Sequence, residues 1–172
     1  MVTLKEDTRK SIAELTLMDD IFMNKVFDND IGRTALLLRI ILKNDKIKVI
    51  KATTQQKLKN LLGHDLQLDI LAQNENGTLF NVEIQNHSSG AAARRARYHL
   101  SLLDSLSLPK GKIYKQLPDN YVVFITQNDV LKGGLPLYHI NRKIEENDKA
   151  FADGSHIIYV NNKIKDETPL GR

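Results

Sequence analysis

Two acids, Asp69 and Glu83, lie in alternating segments on either side of an Asn-Gly pair. The first segment runs Asp65-Leu66-Gln67-Leu68-Asp69-Ile70-Leu71-Ala72-Gln73, and the second Thr78-Leu79-Phe80-Asn81-Val82-Glu83-Ile84-Gln85. Alternation on both sides of Asn-Gly predicts a β-hairpin. Leu66, Leu68, Ile70 and Ala72 are expected to share one face of the first strand, and Phe80, Val82 and Ile84 one face of the second. Both sets must meet the same core, because a slip of one residue turns a whole set to the other side. A three-residue loop of Glu75, Asn76 and Gly77, a type I turn with Gly77 in the left-handed region, meets that condition. Asn74 then faces Thr78, Ile70 faces Val82 and Leu68 faces Ile84. Asp69 lies opposite Glu83, and Gln67 opposite Gln85 on the same face as the acids.

Like charges opposite each other destabilise a sheet, and side chains so paired stand about 5 Å apart. At that separation one of the two pKa values rises. Two arrangements fit this spacing. In one, a divalent cation sits between the carboxylates. Two acids with few other ligands suit Mg²⁺ or Mn²⁺, which keep several waters. In the other, the acids are simply hydrated on the solvent face of an edge hairpin, a face that Asp65, Gln67, Asn81 and Gln85 would suit equally well.

The flanking segments must place these strands. Lys5–Asp28 carries Ile12, Leu15, Phe22, Val26 and Phe27 near the 3.6-residue period and predicts a helix. Asn29, Asp30 and Gly32 are expected to break it, and Thr34–Lys43 to form a short apolar helix. Lys46–Thr53 alternates weakly as a strand, and Thr54–Leu62 is ambiguous. Ala91–Leu108 predicts a helix stopped by Pro109 and Gly111. Tyr121–Thr126 and His156–Val160 predict strands, with Gly133, Gly134 and Pro136 marking a loop between them. This order of elements predicts a mixed α/β domain. The expectation is one domain over residues 1–172, with 1–10 and 162–172 flexible.

Between Ala91 and Gln116 there are six basic residues and one acid, Asp104. Arg94, Arg97 and Tyr98 share a helical face by their spacing. That face suits a nucleic-acid backbone, and it also suits plain solvation. No histidine pair has metal-binding helical spacing, and His87 is expected in a loop beside Gln85.

Composition narrows the classes. The chain has 172 residues, with 25 Lys plus Arg against 21 Asp plus Glu, a net charge of +4, and no Cys or Trp. Absence of cysteine excludes disulfides, thiolate zinc sites and thiol nucleophiles. Apolar runs fall far short of a membrane span. The polar opening Met1–Lys10 is not expected to be a secretory signal or transit peptide. A cytoplasmic protein without a membrane partner is expected. A homodimer is left open.

Leu68-Asp69-Ile70, the Gly77 turn and Val82-Glu83-Ile84-Gln85 together resemble the metal core of the PD-(D/E)XK nuclease superfamily. Within it, the chain resembles the transposase-associated, recombination-promoting branch. Leu15-Thr16-Leu17-Met18-Asp19-Asp20-Ile21-Phe22 resembles that branch's opening helix. Glu83-Ile84-Gln85 matches its Glu-x-Gln, and Arg94-Arg95-Ala96-Arg97-Tyr98 its following helix. The likeness spans about Thr16 to Val160. It implies a restriction-endonuclease-like mixed central sheet flanked by helices, and a Mg²⁺- or Mn²⁺-dependent DNA endonuclease acting in recombination or transposition. A catalytically weak nucleic-acid- or protein-binding module of the same fold is the alternative.

The resemblance makes Asp69, Glu83 and the carbonyl of Ile84 the metal ligands. It puts Gln85 in the place of the catalytic lysine, and Arg94, Arg97 and Tyr98 against DNA. Asp19 is the best match for a further acid from the opening helix, with Asp20 and Glu14 as rivals. The chain departs from the branch in being shorter than many members and in having Gln67 where a basic residue is frequent.

Overall fold

The computed structural model of the chain describes residues 16, 18–59 and 64–164. Two helices open it, α1 (Asp20–Phe27) and α2 (Ile31–Leu42). Three strands follow, β1 (Val49–Leu58), β2 (Leu66–Asn74) and β3 (Leu79–Gln85). A 3-10 turn (Ser88–Ala91) leads into α3 (Ala93–Ser107), and a second one (Tyr114–Gln116) into β4 (Asn120–Thr126), β5 (Leu137–Ile140) and β6 (Ser155–Asn161). The strands form one sheet in the order β1-β2-β3-β4-β6-β5. β1, β2 and β3 are antiparallel, β4 runs parallel to β3 and β6, and β5 is antiparallel to β6. This is the mixed α/β order that the sequence predicts, and the mixed sheet flanked by helices that the resemblance implies.

Local chemistry sets the boundaries. Asn29, at a φ of 53°, and Asp30 separate the first two helices, and the Asp30 carboxylate accepts the Arg33 N–H at 2.8 Å as an N-cap. Gly32, expected to be a breaker, lies inside the first turn of α2, where this cap already holds the backbone. Lys43 closes α2 in the left-handed region. Of the helix expected over Lys5–Asp28, residues 20–27 are helical, while residues 5–15, Glu14 among them, lie outside the described residues. Of the expected flexible ends, only 162–164 are described, and the Asn162 N–H is bound to the Thr126 carbonyl at 2.9 Å. β5, only four residues long, has no sequence signal of its own.

The sheet has a core on each face. On one side Met23, Phe27, Ala35, Leu38 and Ile41 of α1 and α2 pack on Ile70, Val82, Ile84, Val123 and Ile158. On the other, Ala96, Leu100 and Leu103 of α3 pack on Leu79, Val122, Phe124 and Tyr159. β3 is consequently buried on both faces. A solvated edge hairpin, the bland arrangement open at the level of sequence, is not what forms.

The hairpin turn follows the predicted register, with Ile70 paired to Val82, the Asn74 N–H on the Thr78 carbonyl at 3.1 Å, and Gly77 at a φ of 85°. Beyond Ile70 the expectation fails. The β2–β3 ladder ends at Ile70–Val82, so Asp69 does not pair with Glu83, nor Leu68 with Ile84, nor Gln67 with Gln85. Ile70 and Ala72 join the core under α1 and α2, but Leu68 is buried with α3, and Leu66 packs beside it. The four residues do not share one face. The face changes where Gln55, opposite on β1, adopts a left-handed φ of 52°. β1 and β2 stay in register on both sides of it, Thr54 with Ile70 and Gln56 with Leu68. The β1–β2 ribbon thus turns over at residues 55 and 69 and leaves β3.

At the far end of the sheet one amide ties three elements together. Asn120, wholly buried, accepts the Leu79 N–H at 2.9 Å and donates to Asp104 at 2.9 Å and to Ser107 Oγ at 2.9 Å. Asn120→Ala strands the Leu79 donor, and a buried unsatisfied group costs about 1–3 kcal/mol. Urea denaturation is expected to show a loss of that size.

Candidate active site

Glu83 lies near the C-terminal end of β3 and faces α3, with none of its surface exposed. Ala96, His99, Leu100 and Leu103 form the buried stripe of α3, and Arg95 stands at its edge. Arg95 Nη2 lies 3.2 Å from Glu83 Oε2, and His99 Nδ1 3.7 Å from Oε1. Arg95 Nε donates to His99 Nε2 at 3.2 Å, and the Asn81 amide lies 2.9 Å from His99 Nδ1.

Asp69 occupies the place where β2 parts from β3. Its Oδ2 accepts the Ile84 N–H at 2.9 Å. Its own N–H points at Glu83 Oε1, 3.4 Å away. A side chain thus replaces the backbone partner that the ladder no longer supplies. On the other side Gln55 Nε2 lies 3.4 Å from Asp69 Oδ1, and Gln67 Nε2 donates to Gln55 Oε1. The Gln85 carbonyl accepts the Gln127 N–H on the β4 side at 3.1 Å. Neighbouring residues of a strand point their backbone groups in opposite directions. The Ile84 carbonyl is therefore aimed across the gap toward β2, on the side of both acids.

Burial pushes the Glu83 carboxyl up to about 7, and the Asp69 charge adds to the rise, against the opposing pull of Arg95 and Asn81. The same burial, with Arg95 beside it, lowers the His99 ring to about 4, so His99 is neutral at physiological pH. Asp69, Glu83 and the Ile84 carbonyl would offer oxygen donors only, with the Arg95 guanidinium as partial counter-charge. Such a set suits a hard divalent cation.

The other sequence-predicted residues fall at varied distances from this centre. Gln85 ends β3 with its side-chain amide lying against Gly90. Asp19 accepts from Thr16 N and Oγ at 2.8 and 3.2 Å. Asn86 Nδ2 donates to the Met18 carbonyl at 3.0 Å, which brings the segment before α1 to the end of β3. Asp20 begins α1. Among the described residues, no three His, Asp or Glu side chains stand together to hold a metal ion. Arg94 and Arg97 are exposed on α3, while the Tyr98 hydroxyl donates to the His64 carbonyl at 3.0 Å. His87 is exposed in the loop after β3.

Arg95, His99, Asn81 and Gln55 are site residues that spacing alone missed. For Arg95 and His99 a signal existed, since they are four apart beside the Ala96–Leu100–Leu103 stripe. For Gln55 there was none.

The family model described as a PD-(D/E)XK nuclease family transposase matches residues 7–168. No curated protein and no solved structure matches the chain. Among the described residues, no helix is long and apolar enough to cross a membrane.

Proposed function

The chain belongs to the PD-(D/E)XK nuclease transposase family, and from that premise we propose that it is a metal-dependent DNA endonuclease acting in recombination or transposition. The observation that carries this reading is the meeting of Asp69 with the buried Glu83 at the parting of β2 from β3.

Asp69, Glu83 and the Ile84 carbonyl are the groups that would hold Mg²⁺ or Mn²⁺. When bound, such a cation supplies positive charge to a phosphate oxygen and acidifies water. Gln85, which cannot carry charge, orients the attacking water by hydrogen bonds. Arg95 keeps Glu83 in place through one nitrogen and has further N–H donors for a phosphate oxygen, a use suited to its planar fork. Asp19 is the candidate to complete the acid set from the opening segment.

Arg94 and Arg97, exposed on the same helix, would contact the DNA backbone. Arg94→Ala with Arg97→Ala is expected to weaken DNA binding and to lower the slope of log Kd against log salt by about 2, since each lost phosphate contact removes roughly one unit. Metal affinity should stay as it was.

The direct test is supercoiled plasmid incubated with Mg²⁺ or Mn²⁺, and again with EDTA. Nicking or linearisation in metal alone supports the reading. Salt-sensitive retention of DNA without a cut in either metal supports a catalytically weak binding module of the same fold. That second reading draws on the uncharged Gln85 and on the Arg95 counter-charge already seated on Glu83.

A further inference from the structure

We infer that Gly90 is a positioning residue for the amide of Gln85, an inference that rests on the water-orienting role proposed for Gln85 above. Glycine is common where the backbone needs a left-handed φ, as at Gly77. Gly90 has no such need, because its φ is not positive and any L-residue can adopt its conformation. Its N–H closes the 3-10 turn on the His87 carbonyl at 3.0 Å, a bond that alanine would also make.

What glycine provides here is space. A methyl carbon built on Gly90 would overlap Gln85 Oε1 outright and stand 2.9 Å from Gln85 Cδ and 3.6 Å from Cγ. No other group lies so near, so the missing side chain is matched to one partner.

Neither backbone can retreat. Ala91, next in the chain, is wholly buried, and its carbonyl accepts the Tyr159 hydroxyl at 2.9 Å, which pins the turn to β6. Gln85 is held in the β3–β4 ladder opposite Thr126, with its carbonyl on the Gln127 N–H. The only part free to yield is the end of the Gln85 side chain. Gly90 therefore decides where that amide rests, two residues along the strand from Glu83. A larger residue at 90 would rotate the amide away while leaving Asp69, Glu83 and the fold as they are.

The test compares wild type, Gly90→Ala, Gln85→Ala and the double variant in Mn²⁺. Gly90→Ala is expected to cut turnover at saturating DNA by about tenfold or more, since misplacing a positioning group by about 1 Å can cost about a hundredfold. Its melting temperature and its Kd for Mn²⁺ and for DNA should be unchanged. Adding Gly90→Ala to Gln85→Ala should cost nothing further, as expected when one residue acts only through the other. The side-chain amide signals of Gln85 in a ¹H–¹⁵N spectrum, identified by their loss in Gln85→Ala, should shift in Gly90→Ala, and this contact is read without any need for cutting. Unmoved amide signals overturn the inference. So does a loss of stability or metal affinity in step with turnover, which marks a purely structural glycine. Full activity in Gly90→Ala beside an inactive Gln85→Ala sinks the positioning role alone, whereas full activity in Gln85→Ala removes the role proposed for Gln85 and the inference with it.

Discussion

Glu83→Gln is expected to abolish metal-dependent cleavage and to raise the melting temperature of the metal-free chain. The two effects share a cause. The Glu83 carboxylate is wholly buried and faces a second acid, and its pKa stands at about 7 against an ordinary 4.5. Above pH 7 the folded chain holds a charge that the unfolded chain would place in water. At 1.36 kcal/mol per unit, the displacement corresponds to about 3 kcal/mol of destabilisation. Glutamine removes that cost and keeps the shape. Arg95, its guanidinium side chain 38% exposed, can turn toward solvent when its partner loses charge. In a chain of this size each kcal/mol is worth about 2–4 °C, so a gain of several degrees is expected at pH 8.

The sign of the pH effect follows from the direction of the shift. A carboxyl whose folded pKa is raised binds more protons folded than unfolded between about 4.5 and 7, so its penalty is full above that window and fades as the pH falls through it. The stabilisation by Glu83→Gln should therefore be largest at pH 8 and shrink toward pH 5. His99 behaves oppositely. Its folded pKa of about 4 lies below the usual 6.5, so acidification through that interval costs stability in both proteins alike. Thermal melts of the two proteins at pH 8 and pH 5, with and without Mn²⁺, check all of this. Wild type should gain stability on addition of Mn²⁺ and the variant should not. A Glu83→Gln protein less stable than wild type at pH 8 would contradict the buried-charge account.

Asp69 should behave differently, although its loss is equally damaging to cleavage. Its carboxylate serves the backbone as well, by accepting the Ile84 N–H at the point where β2 no longer can. Asp69→Ala is expected to end cleavage and also to destabilise the fold by about 1–3 kcal/mol, the cost of a stranded buried donor. Asp69→Asn retains an acceptor oxygen and should end cleavage with most of the stability intact. Urea midpoints of the two variants provide the check. Equal stability of Asp69→Ala and Asp69→Asn would mean that the side chain does not bridge the gap.

The hairpin was legible because its signals are local. Asn76-Gly77 fixes the turn, and alternation fixes the register as far as Ile70 and Val82. That Asp69 and Glu83 are neighbours was legible too, but not as the opposed pair that an unbroken ladder predicts, since pairing stops one residue short of them. Period-two reasoning assumes an unbroken ladder, and here the ribbon turns over at Gln55, a residue with no glycine-like signal for its left-handed φ. The buried partners of Glu83 were hidden for another reason. Arg94 and Arg97 draw attention as an exposed basic pair, whereas Arg95 points inward because its neighbours Ala96 and His99 belong to the stripe that packs on the sheet. Charge alone does not separate these three arginines, but helical phase does.

Among the described residues, β1 forms one margin of the sheet, and ten residues of extended chain would ordinarily be an invitation to a neighbouring molecule. The irregularity at Gln55 interrupts that margin midway, and Lys51 and Lys57, both in contact with water, stand on either side of it. A second molecule that attempts to add its own strand there meets a broken row of hydrogen-bonding groups and a pair of cations. The same kink that shapes the acidic centre thereby leaves that margin poorly matched to an added strand.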